Sequence, residues 1–135
     1  MNDPNLIYCL VRKKWIVRTP EEEVRQNMIR HLHLVCGAPL HLMACEYPIE
    51  LNGRSFRADL VLHDRHAEPL ILAEFKAPQV ALGPSALDQL KRYNTVLLAP
   101  YLLIGNNRQT YFCKFNINSQ AYEFLNEIPS FEQLL

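Results

Sequence analysis

Apolar and polar positions change period several times along the chain, and each change marks an element. In LIYCLVRKKWIVR two short apolar runs flank a basic turn near Arg12 to Lys14, which predicts a hairpin. From Thr19 the period becomes helical. Val24, Met28, Ile29, Leu32 and Val35 share one face, Thr19 can cap, Pro20 suits the first position and Gly37 marks the end. MACEYPIELNGRSFRADLVLHD reads as two strands joined at Asn52-Gly53, and LILAEFK as a third. PSALDQLKRYNTVLLA is a second helix, opened at Pro84-Ser85 and stopped before Pro100. YLLIGNN and TYFCKF are two further strands, turning around Asn106 and Asn107. The tail, AYEFLNEIPSFEQLL, is expected to add a short helix packed on the edge.

This order predicts an α/β fold, a mixed central β-sheet flanked by helices. A length of 135 residues suits a single domain, with a hairpin over 1–18, a core over 19–115 and a tail over 116–135. Hydrophobic residues at 49% and charged ones at 21% exclude a disordered chain. No apolar run reaches about 18 residues and the N-terminus lacks signal-peptide features, so a cytoplasmic protein without membrane contact is expected. Cys9, Cys36, Cys45 and Cys113 form no CxxC pair. Reduced, partly buried thiols are therefore expected, rather than a zinc site completed by His31, His33, His63 or His66.

Charge adds one complication. Fourteen basic and fourteen acidic residues cancel, whereas a protein that holds nucleic acid by its overall field is more basic. Either DNA is not the partner or the bases gather on one face. Arg12, Lys13, Lys14 and Arg18 keep the second option open, although a solvated turn accounts for them equally well.

The candidate chemistry lies in RADLVLHDRHAEPLILAEFKAP. Glu74 and Lys76 are two apart and so share one side of a strand. Asp59 lies across from them if its strand pairs with theirs through HDRHAEP. Two carboxylates and an amine suit a hard cation such as Mg²⁺, with the lysine positioning a water. A cross-strand salt bridge at a sheet end is the plainer alternative.

Asp59 followed by Glu74-Phe75-Lys76 resembles the PD-(D/E)XK nuclease signature, with Ala58 in place of the usual proline. TPEEEVRQ, RADLVL, EFKAP, DQLKRYN and APYLLIGNN, in that order, resemble the N-terminal nuclease domain of type I restriction enzyme R subunits. The resemblance implies a restriction-endonuclease-like core and Mg²⁺-dependent hydrolysis of DNA phosphodiesters, with Mn²⁺ as a substitute. Asp59, Glu74 and the Phe75 backbone carbonyl would hold the metal, and Lys76 would orient the attacking water. A further catalytic acid is implied on the first helix. At 100° per residue Glu21 falls beneath Val24, Met28 and Leu32, Glu22 at the edge of that face, and Glu23 away from it. Glu22 also completes a capping box with Thr19, so Glu21 is the expected acid.

Arg25 is either a helix ion-pair partner or a phosphate contact. Gln89 and Tyr93, four apart, resemble the QxxxY element of RecB-like nucleases, which fixes DNA or the lysine; a packed tyrosine is the plainer reading. No G-x-x-x-x-G-K-[ST] loop occurs and no translocase is expected within this length. The expected partners are DNA, helicase/translocase or specificity subunits on other chains, and a second copy in a homodimer. The competing reading is a catalytically silent nuclease fold that binds nucleic acid or protein.

Overall fold

The computed structural model describes residues 3–135. An antiparallel hairpin comes first, β1 (Leu6–Cys9) and β2 (Lys14–Val17), pairing Tyr8 with Trp15. Helix α1 (Pro20–Arg30) follows, then a π-helical turn over His31–Val35. Thr19 caps α1 as expected, its Oγ1 accepting the Glu22 N–H at 3.1 Å. The glutamate side chain does not reach back to close a capping box, because cations hold it elsewhere. Gly37 ends the segment at φ +79°, as a left-handed terminus requires. One expectation fails here. Val35 is solvent-exposed, since the π turn adds a residue per turn and rotates it off the apolar face.

The main sheet has six strands in sequence order: β3 (Met43–Leu51), β4 (Arg54–His63), β5 (Pro69–Phe75), β6 (Tyr101–Gly105), β7 (Thr110–Asn116) and β8 (Ala121–Leu125). Asn52 and Gly53, at φ +53° and +75°, close the β3–β4 hairpin in the manner that Asn-Gly favours. All neighbouring pairs are antiparallel except β5–β6. A parallel pair needs a long crossover, and helix α2 (Pro84–Leu97) supplies it. Strand β8 lies where the sequence suggested only tail. The short helix α3 (Phe131–Leu134) does form, and it buries Phe131 and Leu134 in the core rather than resting on an edge.

One face of the sheet carries the α1 segment and α3, the other carries α2. Ile29 and Leu32 of the α1 segment pack on Leu60, Leu62, Ile71 and Leu103, while Leu90 of α2 packs on Val61, Leu72 and Leu102. Each fully buried leucine or isoleucine stabilises the fold by roughly 1.5–3 kcal/mol. Strands β5 and β6 are covered on both sides, so they read as unbroken apolar runs. The charges of β5 are confined to its last turn.

Strands β3 and β4 depart from regular alternation. Met43 and Cys45 face α1, but Tyr47, Ile49 and Leu51 face α2. Likewise Leu60 and Leu62 face α1, whereas Phe56 and Ala58 face α2. The two strands change faces together, between the pairs Cys45–Leu60 and Tyr47–Ala58. Glu46 and Asp59 occupy the change, with Glu46 at φ +55°.

Candidate active site

The change of face places Asp59 at the point where β4 and β5 part. Their ladder runs up to Leu60–Ala73 and stops there, leaving Asp59 beside Glu74 and Phe75. One carboxylate oxygen of Asp59, Oδ2, accepts the Phe75 N–H at 2.7 Å. Glu74 points to the α2 side, with its carboxyl close to that of Asp59. Burial raises the Glu74 carboxyl well above the usual carboxylate range, and Asp59 raises it further. Lys76, the second residue past Glu74, opposes this only in part. Its backbone N–H is anchored on the Gly105 carbonyl at 3.0 Å, which ties the end of β5 to the end of β6. The structure thus brings Asp59, Glu74 and Lys76 together, as alternation predicts.

Tyr93 approaches from α2. It is buried, packs on Phe56 with ring centroids 5.0 Å apart and planes tilted by 38°, and receives a hydrogen bond on its hydroxyl from Gln89 Nε2 at 2.9 Å. Burial raises its phenol, with Glu74 adding to the effect. Gln89 itself is exposed, so the pair spans from solvent to the two acids.

The α1 side holds a second charged group. A cleft of about 260 Å³ is lined by Thr19, Glu21, Glu22, Arg25, Glu46, Asp59 and Phe75. Glu22, not Glu21, is the buried acid. Glu22 is 4% exposed, and its Oε2 accepts from Arg12 Nη2 (2.8 Å), Arg25 Nε (3.0 Å) and Gln26 Nε2 (2.8 Å). Its Oε1 accepts from Arg25 Nη2 at 2.7 Å. Burial alone would raise this carboxyl, but these donors hold it down at about 2. Glu21 stands exposed at the mouth of the same cleft. The helical projection weighted only apolar positions, whereas the inward face also carries Glu22, Arg25 and Gln26.

Arg25 is buried and joins three elements. Besides Glu22 it donates to Glu46 Oε1 at 2.8 Å and to the Asp59 carbonyl at 3.1 Å. It therefore spans α1, β3 and β4 across the change of face, and most of its donors are committed inside the protein. Sequence reasoning missed Glu46 and Arg12. The only cue for Glu46 was a charge in a largely apolar strand that also carries Glu50, and nothing local links Arg12 to Glu22.

Among the described residues no three His, Cys, Asp or Glu side chains form a ready metal cage. The Asp59–Glu74 pair nevertheless fits a hard cation. Two carboxyls side by side, one of them raised by burial and by its neighbour, are a donor set that such an ion would suit. Mg²⁺ in particular takes one or two carboxylates and keeps several waters.

Residues 20–129 match the family described as the type I restriction enzyme R protein N terminus. No curated protein matches the sequence. Among solved structures, the fold resembles a fragment described as a candidate HsdR subunit of a type I restriction enzyme from Vibrio vulnificus. That match has TM-score 0.56 and 18% identity, over 78% of this chain and 22% of that one. It also resembles a candidate nuclease of the DUF820 group from Anabaena variabilis, with TM-score 0.54 and 11% identity, over 91% of this chain and 82% of that one. The chain therefore spans 22% of the length of the HsdR fragment.

Proposed function

The chain belongs to the family of type I restriction enzyme R protein N termini, and from that premise we propose that its Asp59–Glu74–Lys76 group hydrolyses DNA phosphodiesters. Family and fold make the chain a nuclease-related module. The observation that carries the finer reading is the pair of acids pressed together at the parting of β4 and β5 beside a lysine. A stability-driven design would not place two acids there without a compensating partner.

Asp59, Glu74 and the Phe75 backbone carbonyl are the ligands for Mg²⁺ in this reading. The bound ion, or Mn²⁺ in its place, would polarise the phosphoryl oxygen and supply an acidified water. Asp59 is pre-oriented by its bond from the Phe75 N–H, so one of its oxygens is fixed and the other is available. Lys76, whose charge acts on Glu74, is in this reading the group that orients the attacking water and balances charge developing on the phosphoryl oxygens. Glu21 at the cleft mouth serves as the further acid, and Gln89 with Tyr93 positions the strand or the lysine. Arg25 has one N–H left for a phosphate contact. Helicase/translocase or specificity chains would bring the DNA to the site, and a homodimer would allow a second strand to be cut.

Plasmid cleavage in Mg²⁺ or Mn²⁺ tests the reading. Wild type should nick or linearise supercoiled DNA, and Asp59→Ala and Lys76→Ala should each lower the rate by about 10²-fold or more. Wild-type protein that leaves supercoiled, linear and single-stranded DNA intact would instead favour a silent nuclease fold.

A further inference from the structure

The neutral total charge hides a separation. Residues 4–18 contain four basic and no acidic side chains, while residues 19–135 contain ten basic and thirteen acidic ones. This stretch is the β1–β2 hairpin, and it lies outside the 20–129 family match. Two of its cations fasten it to α1. Arg12 pairs with Glu22 at 2.8 Å and Arg18 with Glu23, and Arg18 also donates to the Pro4 and Leu6 carbonyls. Lys13 and Lys14 are exposed and have no ion-pair partner among the described residues.

Beside those lysines the hairpin shows an aromatic edge. Trp15 and Tyr8 are cross-strand partners, 48% and 38% exposed, with ring centroids 5.3 Å apart at 69°. Two exposed rings cost free energy in water unless something covers them, and free lysines next to rings favour a polyanion with flat bases over a protein face. On the other side of the turn, a cleft of about 550 Å³ has Lys13, His33 and His41 as its only titratable lining and no carboxylate. Through Arg12 and Glu22, the hairpin borders the cleft that contains Asp59.

We propose that the β1–β2 hairpin is a DNA-holding arm, with Lys13 and Lys14 on phosphates and the Trp15–Tyr8 edge against bases. The inference rests on the nuclease reading for its choice of DNA as the polyanion. It also bears on the charge puzzle: a neutral chain can hold DNA through one local stretch that carries four cations and no acid.

Trp15 is the one tryptophan of the chain, so its emission reports on this arm alone. A labelled single strand of about 20 nucleotides and its duplex are titrated in EDTA, following anisotropy and tryptophan emission together at low and moderate salt. Emission should change over the same concentrations as anisotropy. The double substitution Lys13→Gln/Lys14→Gln should weaken binding about tenfold and reduce the slope of log affinity against log salt by about two, one per lost phosphate contact. Thermal melting should match wild type, because both side chains are exposed. Binding that leaves Trp15 emission and the double variant's affinity unchanged overturns the proposal. Failure to bind either oligonucleotide also overturns it, and assigns the surface to a protein partner. Asp59→Ala separates the two readings: it should abolish cleavage while leaving anisotropy, emission and salt slope as in wild type. A wild type that binds through the hairpin yet never cuts would sink the nuclease reading and leave the arm standing.

Discussion

Two groups of carboxylates, at least half-buried, lie on either side of β4, and they are treated in opposite ways. On the α1 side Glu22 receives four hydrogen bonds from Arg12, Arg25 and Gln26 and is held at about 2. On the α2 side Glu74 is half-buried against Asp59 and is raised. The first group is internally satisfied, so it can fasten α1 to the sheet but has little affinity left for a ligand. The second leaves Glu74 without such donors, so its charged form is disfavoured. Environment, not residue type, sets the two glutamates apart.

Substitutions should divide along the same line. Arg25→Met should have the largest effect, destabilising by about 3–5 kcal/mol, because it removes two of the four hydrogen bonds to buried Glu22, unpairs Glu46 and frees the Asp59 carbonyl. Urea denaturation would check this; a loss below about 1 kcal/mol would mean the network does not hold the fold. Glu74→Gln should act in the opposite sense, stabilising by on the order of 1–2 kcal/mol near neutral pH, since the amide cannot carry the disfavoured charge. The same variant should lose Mn²⁺ uptake in EPR titrations. Greater stability with undiminished uptake would remove Glu74 from the metal site. Thr19→Ala should cost least, about 1 kcal/mol, by uncapping the turn that carries Glu21 and Glu22.

The pH dependence sharpens the contrast because its sign differs between the two acids. Glu22 lies below its ordinary 4.5, so its contribution is complete above that value and is lost as pH falls toward about 2. Glu74 lies above 4.5, so the unfolded chain releases its proton first and stability declines as pH rises past that value. Urea midpoints across acid and neutral pH should show the cost of Glu22→Gln shrinking in acid. They should show the gain of Glu74→Gln growing as pH rises. Parallel curves for the two variants would contradict the opposite shifts.

Much of this was legible where the signal is local. The Asn52–Gly53 turn, the Thr19 cap, Gly37 and the Glu74–Phe75–Lys76 terminus of β5 each depend on a few consecutive residues. Strand β8 escaped notice because AYEFL is short and follows a polar turn that resembles a departing tail. Glu22 escaped because its burial depends on Arg12 and Arg25, and an apolar pattern gives a buried glutamate no weight. The change of face escaped because it shows only when β3 and β4 are paired. Glu46 has no glycine-like cue for its positive φ.

That shared change of face also guards against misalignment. A regular antiparallel hairpin can slide by two residues and keep every side chain on its own face. Here a slide of two would set the switch in β3 opposite regular strand in β4, exposing apolar residues of both. Glu46 and Asp59 therefore act as a register pin, and an error that would leave sticky strands in other hairpins is penalised at the change of face itself.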